Sequence, residues 1–210
     1  MHEFKPVAPA RIVIDTPEKE NGTLMARVDL PANVADADAA ALVTADWILG
    51  GSTGLSNRIV TRLRQKEGLS YGAGSGITLP RFGNRGYWSV GAIVAPQNVR
   101  QAEASLRDEL ARAVKDGITE QELAEAKRGL IEYRAVNRAQ DGTLAGSWIN
   151  FMESGRDWSF SKDMEVAIEK LTVKDVNAAI RRIADPSKMT FVLAADLAKA
   201  REAGKDFSKQ

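Results

Sequence analysis

The sequence predicts an α+β domain, with helices packed on one face of a mainly antiparallel sheet, and three observations carry that expectation. Periodic segments run in the order β-β-α-α-β-β, then several helices, then a last β, which is not the regular alternation of a doubly wound parallel fold. Gly, Pro and Asp-Gly punctuation divides these segments at intervals suited to short strands and medium-length helices. The composition, 44% hydrophobic and 27% charged over 210 residues, is that of a folded domain with one buried core.

The opening, with Pro6 and Pro9, reads as a linker over residues 1–10. A short strand follows at 12–15, then a turn at Glu20-Asn21-Gly22 and an alternating strand at 24–30 that stops at Pro31. Strand, turn, strand is the simplest arrangement. Between 35 and 49 the period becomes helical: Asp36 and Asp38 favour a helix start, Ala39, Leu42, Val43 and Trp47 recur at helical spacing, and Gly50-Gly51 ends it. A second helix at about 55–66 carries Ile59 and Leu63, and Gly68 suits its C-terminal cap. Residues 69–79 alternate strictly, with Leu69, Tyr71, Ala73, Ser75, Ile77 and Leu79 on one face and Ser70, Gly72, Gly74, Gly76 and Thr78 on the other. Their antiparallel partner is predicted at 86–94.

The second half is mainly helical. Val99, Ala102, Leu106, Leu110 and Ala113 mark an amphipathic helix ended by Asp116-Gly117, and Thr119-x-x-Glu122 is a capping box that opens the next. A shorter helix at 144–152 leads into an aromatic loop at 158–160. Thr172-x-x-Asp175 caps a further helix, Asp185-Pro186 breaks it, and a last strand is predicted at 188–194. The domain therefore spans 11–196, and 197–210 is expected to be a charged tail, frayed or loosely helical.

Two small counts exclude most chemistry. The chain has one histidine, His2, and no cysteine, so it cannot assemble a complete zinc site, a disulfide, a thiolate nucleophile or a histidine-based triad within its folded part. With 29 Lys plus Arg against 28 Asp plus Glu, the formal net charge is +1, and nothing favours global capture of nucleic acid. No run approaches the roughly 20 apolar residues of a membrane span. Nucleic acid and membrane are accordingly not expected partners.

The most informative stretch runs from Gly50 to Gly72. Arg64 falls in the last turn of a helix and Tyr71 three residues past the glycine cap, which places a guanidinium fork and a phenol on neighbouring elements around one turn. Both can donate hydrogen bonds to a carbonyl or oxyanion at neutral pH. Spacing alone equally allows Arg64 to pair with Glu67 at i,i+3 while Tyr71 fills the core. Gly72, Gly74 and Gly76 admit a peptide added at a sheet edge, or else a packed element or a bulge. The Gly50 to Gly54 turn can cradle an anion or simply cap a helix, and it lacks the Gly-Lys-Ser/Thr ending of a phosphate loop. Trp148, Phe151, Trp158 and Phe160 form either a hydrophobic subsite or core, and Arg58, Arg62 and Lys66 read most simply as a solvated face.

The run Gly50-Gly51 to Arg58, followed by Leu63-Arg64-x-x-x-Gly68-Leu69-Ser70-Tyr71, resembles the carboxy-terminal half-repeat of the pitrilysin/insulysin family of zinc metallopeptidases, which includes mitochondrial processing peptidase. The likeness extends through Asp116-Gly117-Ile118-Thr119-x-x-Glu122-Leu123 and Ala126-Lys127, over most of residues 10–196. It implies a two-layer α+β repeat that closes on a partner repeat around a peptide chamber. Active repeats carry H-x-x-E-H on the first long helix; here that helix has no histidine. The resemblance is therefore to the non-catalytic repeat. It implies that this chain binds no metal, that zinc belongs to a catalytic partner domain on the same chain or another, and that Arg64 and Tyr71 face a peptide substrate held there. A scaffold repeat without peptide handling and a small anion-binding domain are the alternatives.

Overall fold

The computed structural model describes residues 4–51 and 57–202. Strands β1 (Arg11–Asp15), β2 (Gly22–Pro31), β3 (Ser70–Thr78), β4 (Arg85–Val94) and β5 (Thr190–Ala195) form one sheet in the order β1-β5-β2-β4-β3. All pairings are antiparallel except β1 with β5. The mainly antiparallel α+β architecture predicted from the sequence is thus observed. The first two strands are not neighbours, however: β5, from the far end of the chain, lies between them.

Alternation decides which face is buried. Leu24, Ala26, Val28 and Leu30 of β2, Trp88, Val90, Ala92 and Val94 of β4, and Phe191 and Leu193 of β5 all enter one core with the helices. The intervening residues form the open face, where Ile12, Ile14, Met25 and Ile93 are exposed.

Helix α1 (Ala39–Asp46) continues as a π-helical turn, Trp47–Gly51. It is buried nearly all round because it lies between layers: Leu42, Ala45 and Leu49 join the sheet core, while Ala40 packs with Leu130 and Ile168 in a second, smaller cluster. Next come α2 (Arg58–Val60), which runs into the π-helical turn Thr61–Lys66, then α3 (Val99–Asp116) and α4 (Glu120–Arg138). The remaining helices are α5 (Asp141–Glu153), α6 (Ser159–Lys170), α7 (Val173–Ile183) and α8 (Leu197–Glu202). The capping boxes at Thr119 and Thr172 form as predicted, and Gly68 and Gly117 adopt the positive φ of helix-ending glycines.

One expectation needs correction and another becomes more definite. Residues 159–160 are the first turn of α6 rather than an aromatic loop, and Phe160, Met164, Ile168 and Leu171 supply the helical spacing that supports it. The segment expected as a charged tail begins with α8, where Ala200 is fully buried.

Charged side chains pin the layers together. Glu103 of α3 receives Arg11 of β1 at 2.9 Å and Arg107 at 2.8 Å, and the Arg107 guanidinium lies 3.5 Å from the centre of the Phe191 ring. Burial pushes the Glu103 carboxyl up, but the hydrogen bonds and charges of the two arginines outweigh it and hold Glu103 below the usual range.

A buried carboxylate ties α1 to the sheet. Asp46 Oδ1 accepts Ser75 Oγ at 2.6 Å and the indole N–H of Trp88 at 2.7 Å, and the side chain also receives the backbone N–H of Ile77. Burial nevertheless pushes its pKa up. Asp46→Ala is expected to cost about 2–4 kcal/mol in urea unfolding, because three donors lose their acceptor in the interior. Since the folded-state pKa is raised, the Asp46 contribution is complete below about pH 4 and is lost as pH rises through the folded value. The stability of the wild type relative to Asp46→Asn should therefore fall from pH 3 towards neutrality.

Candidate functional site

The π-helical turn after α2 decides where Arg64 goes. In such a turn residues five apart lie over one another, and the Glu67 N–H donates to the Arg62 carbonyl at 3.3 Å. Arg62 therefore meets the Glu67 carboxylate and reaches Asp108 at 3.1 Å, while Glu67 takes a further hydrogen bond from Ser105 Oγ at 2.5 Å. The alternative i,i+3 pair of Arg64 with Glu67 does not form. Arg64 is exposed, with no hydrogen bond or ion pair to another described residue.

Of its basic neighbours Lys66 is exposed, as a solvated face requires, but Arg58 and Arg62 are not. Arg58 grips Glu122 through two bonds at 2.8 and 2.9 Å and donates to the Gly117 carbonyl at 2.8 Å, which fastens α2 to the α3–α4 junction. Burial raises the Glu122 carboxyl, but Arg58 and the Thr119 N–H overcome it and keep Glu122 below the usual range.

Past Gly68, Leu69 N–H closes the helix on the Leu63 carbonyl at 2.8 Å, and β3 begins. Its ladder with β4 then slips: Ser70 stands opposite Val94 and Gly72 opposite Ile93, leaving Tyr71 as an extra residue. This bulge corrects the strict alternation predicted for 69–79. Ala73, Ser75 and Ile77 keep to the helix side, but Tyr71 leaves it and stands 71% exposed. The core-filling alternative for Tyr71 is excluded. Arg64 and Tyr71 thus project from adjoining elements on either side of one glycine-capped turn.

The glycines divide. A Cβ at Gly72 or Gly76 would meet nothing within 4 Å, whereas one at Gly74 would lie 3.3 Å from the Gly50 carbonyl oxygen. Gly50 in turn sits against Ser75, and Gly51 lies over Asp46. A carboxylate under these two residues has the wrong sign for an anion cradle. The rest of that turn, 52–56, and His2 lie outside the described residues.

The aromatic residues pack on one another, Trp148 stacked on Trp158 at 5.6 Å and Phe151 edge-on to Trp158 at 5.4 Å. Phe151, Trp158 and Phe160 line a cleft of about 320 Å³ with Tyr133 and Met164. Lys127, which also belongs to the resemblance, donates to the Glu169 and Leu171 carbonyls at 2.9 and 2.6 Å, so it caps α6. Among the described residues no group of three His, Cys, Asp or Glu is placed to hold a metal ion, so these residues do not fit zinc, and no helix is long and apolar enough to cross a membrane.

With the geometry established, comparison with known proteins is decisive. Residues 3–130 match the family described as the peptidase M16 inactive domain. The chain belongs to this family. The M16 inactive domain of Pseudomonas fluorescens superposes with a TM-score of 0.80 at 25% identity, covering 93% of this chain and 45% of that one. An inactive peptidase domain of a putative zinc protease from Bordetella parapertussis superposes at 0.68 with 20% identity, over 82% of this chain and 91% of that one. An uncharacterized zinc protease of Mycobacterium tuberculosis is 32% identical over 139 residues, 64% of this chain and 30% of its own length. The non-peptidase homolog YmxG of Helicobacter pylori is 21% identical over 73% of this chain and 34% of its own length. The present M16 inactive domain thus spans about a third of the curated relatives it matches.

The packing at Asp46 makes a sharp expectation. A Cβ at position 51 would stand 2.2 Å from Asp46 Oδ2. Gly51→Ala should lower stability by about 1–3 kcal/mol in urea unfolding, while Gly76→Ala stays within about 0.5 kcal/mol of the wild type.

Proposed function

We propose that this non-catalytic M16 domain forms the substrate-binding wall of a zinc-dependent metalloendopeptidase and faces a catalytic domain, on the same chain or a partner subunit, across a peptide chamber. The observation that carries this reading is the contrast among neighbouring side chains. Arg58 and Arg62 are engaged in ion pairs, whereas Arg64 and Tyr71 are turned outward on the two arms of one braced turn. Exposing a phenol and a guanidinium that has no partner among the described residues, on adjoining elements of a braced turn, serves recognition better than stability.

In this reading zinc and the water it activates are contributed by the catalytic domain. Within the present chain, the Tyr71 hydroxyl donates a hydrogen bond to the substrate carbonyl oxygen as negative charge develops there, and Arg64 binds carbonyl oxygens of the peptide backbone. The peptide lies along the β3 edge next to Gly72. Farther along that edge Gly50 and Asp46 occupy Ser75 and Ile77, so the run from Gly74 to Gly76 contributes less. The open face, with Ile12, Ile14, Met25 and Ile93, turns towards the catalytic domain.

The test is peptide turnover by the longer protein or complex that unites both domains. Arg64→Ala and Tyr71→Phe should each reduce kcat/KM substantially, Tyr71→Phe by about a hundredfold, with zinc content unchanged. Full activity in both variants would instead support a scaffold role, the reading favoured by the existence of a relative described as a non-peptidase homolog.

A further inference from the structure

The hydroxyl of Ser70 occupies an unusual place in the β3–β4 ladder. It accepts the Gly72 N–H at 3.2 Å, and two carbonyl oxygens stand in reach of its single proton, that of Ile93 on β4 at 2.9 Å and that of Gly72 at 2.8 Å. Gly72 and Ile93 are register partners on the two strands. The Ser70 hydroxyl therefore stands between a donor and an acceptor from opposite strands and bridges the gap opened by the extra residue. It does so from a buried position, with Ser70 only 7% exposed.

We infer that Ser70 is the positioning residue for Tyr71: its buried hydroxyl fills the gap in the ladder and thereby holds the bulge that turns the phenol outward. A regular strand here would send residue 71 to the helix side, as the strict alternation of 69–79 predicts, because a one-residue slip exchanges the two faces. The bulge prevents this at the cost of ladder bonds around an extra residue, and unpaired amide groups beside a core are unfavourable. A serine one position before the extra residue supplies both an acceptor and a donor from a side chain short enough to lie within the ladder. Alanine supplies neither.

This inference rests on the substrate-binding role proposed for Tyr71, and its test separates the two. Ser70→Ala, Ser70→Thr, Tyr71→Phe and the double variant Ser70→Ala/Tyr71→Phe would be made in the protein that unites both domains. Three quantities would be read: hydrogen exchange of the Gly72 amide, nitration of Tyr71 mapped by mass spectrometry, and kcat/KM on a peptide. In Ser70→Ala, Gly72 exchange should rise about tenfold and Tyr71 nitration should fall several-fold, while Ser70→Thr, which keeps the hydroxyl, retains wild-type exchange and nitration. In turnover, Ser70→Ala should add little to Tyr71→Phe, as two residues acting through one group must. Wild-type exchange and nitration in Ser70→Ala would overturn the inference, as would equal losses in Ser70→Ala and Ser70→Thr, which would assign the effect to volume. If Ser70→Ala changes exchange and nitration while Tyr71→Phe retains full turnover, the positioning stands and the substrate role of Tyr71 falls.

Discussion

The buried carboxylate of Asp46 is the junction on which the arrangement of this domain depends. It sits at the end of α1, beneath Gly51, and gathers Ser75 and the Ile77 N–H from β3 and the Trp88 indole from β4. An ionised group in the interior is unfavourable by itself, and burial accordingly raises its pKa. What makes it tolerable is that its acceptor capacity is taken up by donors from separate elements, and a fully satisfied network of this kind rigidifies what it joins. Helix and edge strand are therefore held in one relation. The same contact explains both glycines at the end of the helix, since a side chain at either would collide with the network.

From that fixed edge strand two local irregularities deliver the candidate site. The π-helical turn after α2 pairs Arg62 with Glu67 and leaves Arg64 outside; the bulge at the start of β3 moves Tyr71 from the core side to solvent. Each departs from regular geometry and is secured by its own side-chain bond, the first by the Arg62–Glu67 ion pair and the second by the Ser70 hydroxyl. Around them Arg58, Glu122 and the Gly117 carbonyl lock the helix to the layer behind it. The support is braced on both sides, and neither group it presents is paired with another described residue.

Much of the architecture was legible in the chain. The alternation of Leu24, Ala26, Val28 and Leu30, the boxes at Thr119 and Thr172, and the glycines at 68 and 117 act over a few residues, so their signals survive in sequence. The first turn of α6 is masked in the sequence because Trp158 and Phe160, following a glycine and an aspartate, read as a loop, although Phe160, Met164 and Ile168 carry helical spacing. The insertion of β5 between β1 and β2 had no local signal, because the register partners Val13 and Leu193 come from opposite ends of the domain.

The choice of Arg64 and Tyr71 as candidate site residues, the absence of histidine and cysteine from residue 3 onward, and the likeness to a non-catalytic repeat were determined by the sequence, because residue type and short spacing suffice for each. Which way Arg64 and Tyr71 point was not. A helix of ordinary pitch would bring Arg64 towards Glu67, and an unbroken strand would bury Tyr71. Only the tertiary structure chose otherwise, because Ser105 and Asp108 of α3 anchor the Arg62–Glu67 pair and the ladder partner of Gly72 lies in β4, and their positions depend on the packing of the whole domain.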